Sequence, residues 1–182
     1  KEKLAANQQL SDLMQALGCG AAASYREEDL RYDKVVIMTD ADVDGAHIAS
    51  LLITFFYRQM PLLIDQGHLY LAVPPLYKLT QGSKIAYARD DRHREELRKT
   101  VLTGNGKIEV SRFKGLGEML PSQLKETTMD PSKRTLLQIT LSEAERMSTA
   151  KVIEQLMGTK AEERFNFISA NAAFVEEAEL DI

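Results

Sequence analysis

One cysteine, Cys19, is all the chain contains, so no intrachain disulfide can form and the stapled folds of oxidising compartments are excluded. A reducing cytoplasm is the expected setting. Set between Gly18 and Gly20, Cys19 reads as a small packed residue rather than a nucleophile. No apolar run approaches the roughly 20 residues that a membrane-spanning helix needs, and no signal peptide is expected ahead of the domain. No phosphate-binding Gly-x-x-x-x-Gly-Lys-Ser/Thr loop occurs, so these residues are not expected to bind ATP. Positive charge is in short supply as well: Lys and Arg number 23 against 27 Asp and Glu, a net charge of −4 that announces no global field for nucleic acid. Internal repeats and low-complexity runs are absent, and the chain opens on Lys1 rather than Met, as a fragment would.

What is present is enough for one sizeable domain or two small ones: 182 residues, 44% of them apolar. Charge is unevenly spread. From Lys84 to Lys114 nine bases stand against five acids, whereas from Ala161 to Ile182 six acids stand against one base. The basic stretch reads either as a solvated helix face or as a binding patch.

The chain alternates helical and extended patterns. Leu4 opens an apolar series that takes helical spacing from Leu10 to Leu17 and stops at Gly18. A polar connector, Ala21 to Arg31, leads to a buried parallel strand, Lys34 to Met38. Ile48, Leu51, Leu52, Phe55, Phe56 and Met60 then mark a helix that Pro61 kinks or restarts. His68 to Val73 alternates as a strand, and Leu76–Leu79 with Ile85–Ala88 forms a hairpin around Gln81-Gly82-Ser83. Asp90 caps a charged helix to about Thr100. A Gly104-Asn105-Gly106 turn opens the strand Lys107 to Val110, and a loop from Arg112 to Met119 follows. A short helix from Pro121, a strand Leu136 to Leu141, a helix with a Ser142/Glu145 capping box ending at Gly158, and a last helix from Ala161 complete the chain.

The most informative segment is Thr39-Asp40-Ala41-Asp42-Val43-Asp44-Gly45, three aspartates at alternate positions between a strand and a helix. Ligands collect beyond the carboxyl ends of strands in such α/β edges. Neighbouring carboxylates repel, and a divalent cation with oxygen ligands, typically Mg²⁺, relieves that. The calcium EF-hand pattern matches the first six positions, but its twelfth, a bidentate Glu, is Leu51 here. Three readings stay open on residues alone. They are an aspartyl phosphatase with Asp40 as nucleophile, a solvated helix start favoured by the macrodipole, and a Mg²⁺ site for phosphodiester chemistry.

Longer segments carry a resemblance. Ile37-Met38-Thr39-Asp40-Ala41-Asp42-Val43-Asp44-Gly45-Ala46-His47-Ile48 resembles the acidic motif of the Toprim domain in type II DNA topoisomerase B subunits. Phe55 to Pro61, Gly67 to Tyr70, Pro74 to Lys78 and Arg112-Phe113-Lys114-Gly115-Leu116-Gly117-Glu118-Met119 match that family in order and spacing, as do Asp130-Pro131 and Leu180-Asp181-Ile182.

The resemblance implies an α/β fold: a Rossmann-like parallel Toprim sheet over residues 1–89, lacking its first strand, then a small α+β tail region over 90–182. It implies that Asp40, Asp42 and Asp44 are the acidic catalytic and Mg²⁺ positions, with Asp40 and Asp42 in direct contact. His47, Lys78, Arg112, Lys114 and Arg164 fall at expected DNA-contact positions, while Gly115 and Gly117 read as a tight backbone turn. Tyr57, Tyr70 and Tyr77 match non-nucleophilic positions, so the attacking tyrosine is expected from an A subunit in an A2B2 heterotetramer on double-stranded DNA. ATP is expected only through a region outside this sequence. The family's Glu-Gly-Asp-Ser and Pro-Leu-Lys/Arg-Gly-Lys segments do not occur here, so the fragment alone is expected not to cleave DNA. The short path from Lys78 to Arg112 excludes one large gyrase insertion, and the wording of Gly67 to Val73 looks slightly more like topoisomerase IV than gyrase. A non-catalytic platform for DNA and the A subunit is the remaining alternative.

Overall fold

The computed structural model describes residues 7–172. Leu4, Leu180, Asp181 and Ile182 lie outside them. The chain divides into two compact units, one formed by Lys34–Ala49 and Leu69–Gln138, the other by Ser50–His68 with the described parts of Lys1–Asp33 and Ile139–Ile182.

The first unit holds two three-stranded sheets. In one, β1 (Val35–Ile37) runs parallel to β2 (Leu69–Ala72), with Val35 opposite Leu69. β6 (Leu136–Gln138) pairs antiparallel with the other edge of β2. The mixed α/β architecture with parallel pairing is the one expected for a Toprim sheet followed by a small tail region.

The second sheet, ordered β4-β3-β5, is antiparallel. β3 (Tyr77–Gln81) and β4 (Lys84–Ala88) close over a two-residue turn in which Gly82 has φ 60°, a conformation that glycine adopts without steric cost. Tyr77, Leu79, Ala86, Ala88 and Leu102 form its core, with Leu97 and Ile108 packed against them. Leu97 comes from α4 (Asp91–Thr100), whose cap is Asp90: its Oδ1 accepts from the His93 N–H at 2.7 Å.

β5 spans Glu109–Arg112, two residues later than the sequence pattern suggests. Buried Gln81 explains the shift. Its amide donates to the Gly104 and Gly106 carbonyls at 2.7 Å each and accepts from the Gly104 N–H at 3.1 Å. The turn is thereby tied to the end of β3, and Ile108 goes to the core before pairing begins. Sheet pairing crosses the expected 89/90 division, since β5 joins β3 and β6 joins β2. α5 (Pro121–Leu124) runs directly into a π-helical turn, Lys125–Met129.

In the second unit, α1 (Gln8–Leu17) starts at Asn7, which accepts from the Leu10 N–H, and stops at Gly18 with φ 79°. The connector carries two 3₁₀ turns, Ala22–Ser24 and Glu27–Asp29, held by the Arg26 N–H to the Cys19 carbonyl at 2.7 Å. Cys19 is buried. α2 (Val43–Gln59), which the division crosses between Ala49 and Ser50, ends before Pro61, which opens α3 (Pro61–Asp65) at a position where its missing N–H costs nothing. Phe55, Phe56, Met60, Leu63 and Ile64 are buried, but Ile48 and Leu51 of the same pattern are half exposed.

α6 (Arg146–Met157) and α7 (Ala161–Asn171) complete the unit. The expected capping box differs: the Ser142 hydroxyl donates to the Glu145 carboxylate at 2.5 Å, and a 3₁₀ turn, Glu143–Glu145, precedes α6. Hydroxyl and carboxylate satisfy one another instead of the backbone. Gly158 has φ −75°, so α6 ends on extended rather than left-handed backbone.

Candidate functional site

β1 delivers the chain to Asp40, and α2 begins three residues later. The three aspartates do different local work. Asp42 is the helix cap: its Oδ1 accepts from the Gly45 N–H at 2.7 Å and its carbonyl from the Ala46 N–H at 3.0 Å. Asp44 lies in the first turn, where the macrodipole favours an acid. Asp40 reaches far along the chain, its Oδ1 accepting from the Leu116 N–H at 2.7 Å.

Two glycines make that placement possible. A Cβ on Gly45 would lie 2.0 Å from the Asp40 carbonyl oxygen, and one on Gly115 would lie 2.9 Å from the Asp40 Cγ. Gly115 has an extended backbone, φ −165°, so space beside Asp40, not a tight turn, is what calls for glycine. Around Gly117 no described residue lies within 4 Å of an added Cβ, and nothing in the structure demands glycine there.

Asp40 and Asp42 line one cleft of about 400 Å³ with Thr39, Ala46, Leu71 and Arg89, and Asp44 is not among its lining residues. All three aspartates are exposed. Among the described residues no group of three or more His, Cys, Asp or Glu side chains is disposed to hold a metal ion. Asp42 caps α2 through one carboxylate oxygen and Asp44 sits in its first turn, which leaves the second Asp42 oxygen without a helix-capping role. The donor chemistry of Asp40 and Asp42 fits Mg²⁺ all the same, a hard cation usually held through one or two carboxylates while it keeps several waters.

The loop that meets Asp40 is itself anchored. The Phe113 N–H donates to the Leu76 carbonyl at 2.8 Å, the Glu118 carboxylate accepts from the Lys114 N–H at 2.8 Å, and Met119 is buried. Lys114 is thus next but one to the residue that contacts Asp40. His47 follows Asp44 by three positions on α2, a spacing that shares a helix face, and is exposed.

Lys78 and Arg112 do not share a face. Tyr77 pairs with Arg112 and Lys78 with Ser111, and side chains alternate along a strand, so the two bases project from opposite sides of the second sheet. Arg112 lies over the Tyr77 ring, 6.0 Å from its centroid, and Arg94 of α4 lies 4.9 Å from the same ring. The Tyr77 hydroxyl donates to Asp91 at 3.1 Å, and Asp91 pairs with Arg94 at 2.7 Å. Sequence reasoning misses Arg94. Its i,i+3 spacing from Asp91 is legible, its stacking on a β3 side chain is not. Arg164 belongs to the other unit, where its guanidinium donates to the Gly158 carbonyl at 2.5 Å.

Comparison with known proteins decides the family. Residues 4–74 match the Toprim domain, and residues 105–169 match the family described as DNA gyrase B subunit, carboxyl terminus. Over 181 residues the chain is 64% identical to the B subunit of DNA topoisomerase 4 from Caulobacter vibrioides, covering 100% of this chain and 26% of that protein. This chain belongs to the type II topoisomerase B-subunit family. It is also 59% identical over 180 residues to the B subunit of DNA topoisomerase 4 from Bartonella bacilliformis, covering 99% of this chain and 26% of that protein. The B subunit of DNA gyrase from Halalkalibacterium halodurans is 48% identical over 179 residues, covering 98% of this chain and 28% of that protein. The chain thus spans about a quarter of the length of the curated relatives it matches. Among the described residues no helix is long and apolar enough to cross a membrane.

Proposed function

We propose that this chain contributes the Mg²⁺-binding half of a DNA cleavage–religation site in a cytoplasmic, nucleoid-associated type II topoisomerase, topoisomerase IV. The observation that carries the reading is the 2.7 Å bond from the Leu116 N–H to Asp40, which sets an acidic turn beside a Lys-bearing loop. Asp40 and Asp42 would hold the ion, with Asp44 adding negative charge nearby. Bound Mg²⁺ supplies charge stabilisation to the attacked phosphodiester. Lys114, Arg112, Lys78 and His47 are assigned to DNA phosphates, and Arg164 to a further DNA contact. The attacking tyrosine is assigned to an A subunit in an A2B2 assembly, and ATP use to the longer B subunit. Residues 1–89 and 90–182 are assigned to its Toprim and tail sequence modules.

Identities of 59% and 64% to B subunits of topoisomerase 4, against 48% to that of a gyrase, favour topoisomerase IV. The absence of a three-acid cluster among the described residues is what speaks for the platform alternative, in which chemistry comes from elsewhere. One experiment separates these. The B subunit containing this chain is mixed with its A subunit, supercoiled DNA and ATP, in Mg²⁺ or EDTA. ATP-dependent relaxation without negative supercoiling, abolished by EDTA and by Asp42→Asn, is expected. Asn keeps the helix cap while removing the charge. Negative supercoiling would make it a gyrase, and cleavage untouched by Asp42→Asn would leave the platform.

A further inference from the structure

We infer that Gly115 and the Leu116 backbone N–H are positioning elements for Asp40, holding its carboxylate in the orientation that receives a divalent cation; the inference rests on the metal reading above. Asp40 is confined from two sides. Its backbone meets α2 at Gly45, where an added Cβ would lie 2.0 Å from the carbonyl oxygen. Its carboxylate meets Gly115, where a Cβ would lie 2.9 Å from Cγ, 3.0 Å from Oδ1 and 3.2 Å from Oδ2. One oxygen, Oδ1, takes the Leu116 N–H at 2.7 Å. An ionised carboxylate offers about four acceptor sites, so one such bond fixes the group while leaving capacity for a cation.

Such a contact positions a ligand only if its own frame is fixed, and this one is. The loop is tied at one end by Phe113 to the Leu76 carbonyl, at 2.8 Å. At the other it runs through the 3₁₀ turn Leu116–Glu118 into buried Met119, and the Glu118 carboxylate closes back on the Lys114 N–H. Its backbone would tolerate a side chain at position 115, since φ −165° and ψ 174° are ordinary extended values. The bare Cα therefore serves the neighbouring carboxylate. Gly117, two residues on, has no described neighbour where a Cβ would stand and supplies an internal control. Partners that orient a metal's ligands typically change metal affinity about 10- to 100-fold when removed.

The test uses the B subunit that contains this chain, with Mn²⁺ as the spectroscopic probe and binding read by electron paramagnetic resonance. DNA affinity is measured separately in EDTA. Gly115→Ala crowds the carboxylate. Leu116→Pro deletes the N–H at the start of a 3₁₀ turn, after a residue whose extended backbone suits a following proline. Both variants are expected to weaken Mn²⁺ binding by about tenfold or more while DNA affinity in EDTA is kept, and Gly117→Ala to leave both unchanged. Wild-type Mn²⁺ binding in both variants, with loss in Asp40→Asn, would overturn the positioning role alone. Wild-type binding in Asp40→Asn as well would overturn the metal reading with it. Parallel loss of Mn²⁺ and DNA binding with a lowered melting temperature in both variants would reduce the contact to a structural one and overturn the inference.

Discussion

Tyr25 carries its hydroxyl into the protein without a hydrogen-bond partner among the described residues, and burial pushes its pKa up to about 12. Both facts give the same expectation. An unpaired buried hydroxyl is a desolvation cost that Phe does not carry, so Tyr25→Phe should be neutral or stabilising, by up to about 1–3 kcal/mol in urea unfolding. Because the folded pKa lies above the unfolded value near 10, Tyr25 keeps its proton longer when folded. The unfolded chain ionises first, so this effect on stability is absent below pH 10, and the wild-type fold loses stability as pH rises toward 12. Alkaline unfolding curves of the wild type and Tyr25→Phe should therefore diverge in that window; parallel curves would refute the assignment. Two glycines show why such a residue in a motif cannot be interpreted from its neighbours. Gly45 clears a backbone carbonyl and Gly115 a carboxylate, and neither has a positive φ.

Among the elements, α4 shows how far local chemistry reaches. Asp90 before a charged helical run states a cap in the sequence, and the structure forms it at 2.7 Å to the His93 N–H. Asp90→Ala should cost about 1 kcal/mol, read as a lowered midpoint in urea with an unchanged slope. No change in midpoint would mean that Tyr77–Asp91–Arg94 holds the helix start without the cap. β5 marks the opposite case. Its pattern suggests Lys107 to Val110, but buried Gln81 fixes the preceding turn and moves the strand to Glu109–Arg112. That shift takes Arg112 out of the loop and places it on Tyr77, on the side away from Lys78.

For the whole molecule, opposite projection of Lys78 and Arg112 means that one duplex segment lying against one face of that sheet does not meet both. Lys114, beside the acidic turn, is the base most directly tied to the proposed chemistry. In the assembled enzyme, Lys114→Ala should lower DNA affinity and reduce the slope of log K against log salt by about 1, the signature of one lost phosphate contact. An unchanged slope would remove Lys114 from the interface.

Contiguous residues suffice for the family, the order of helices and strands, the hairpin at Gly82, the restart at Pro61 and the acidic turn, because each rests on local periodicity, capping or turn chemistry, or on an unbroken motif. Folding settles the rest: Asp42 caps α2, Asp40 is held by a loop 76 residues further on, and Lys78 and Arg112 part company. Those outcomes depend on which N–H reaches a carboxylate and on strand register. Both are set by contacts between segments distant in the chain, which no local pattern encodes.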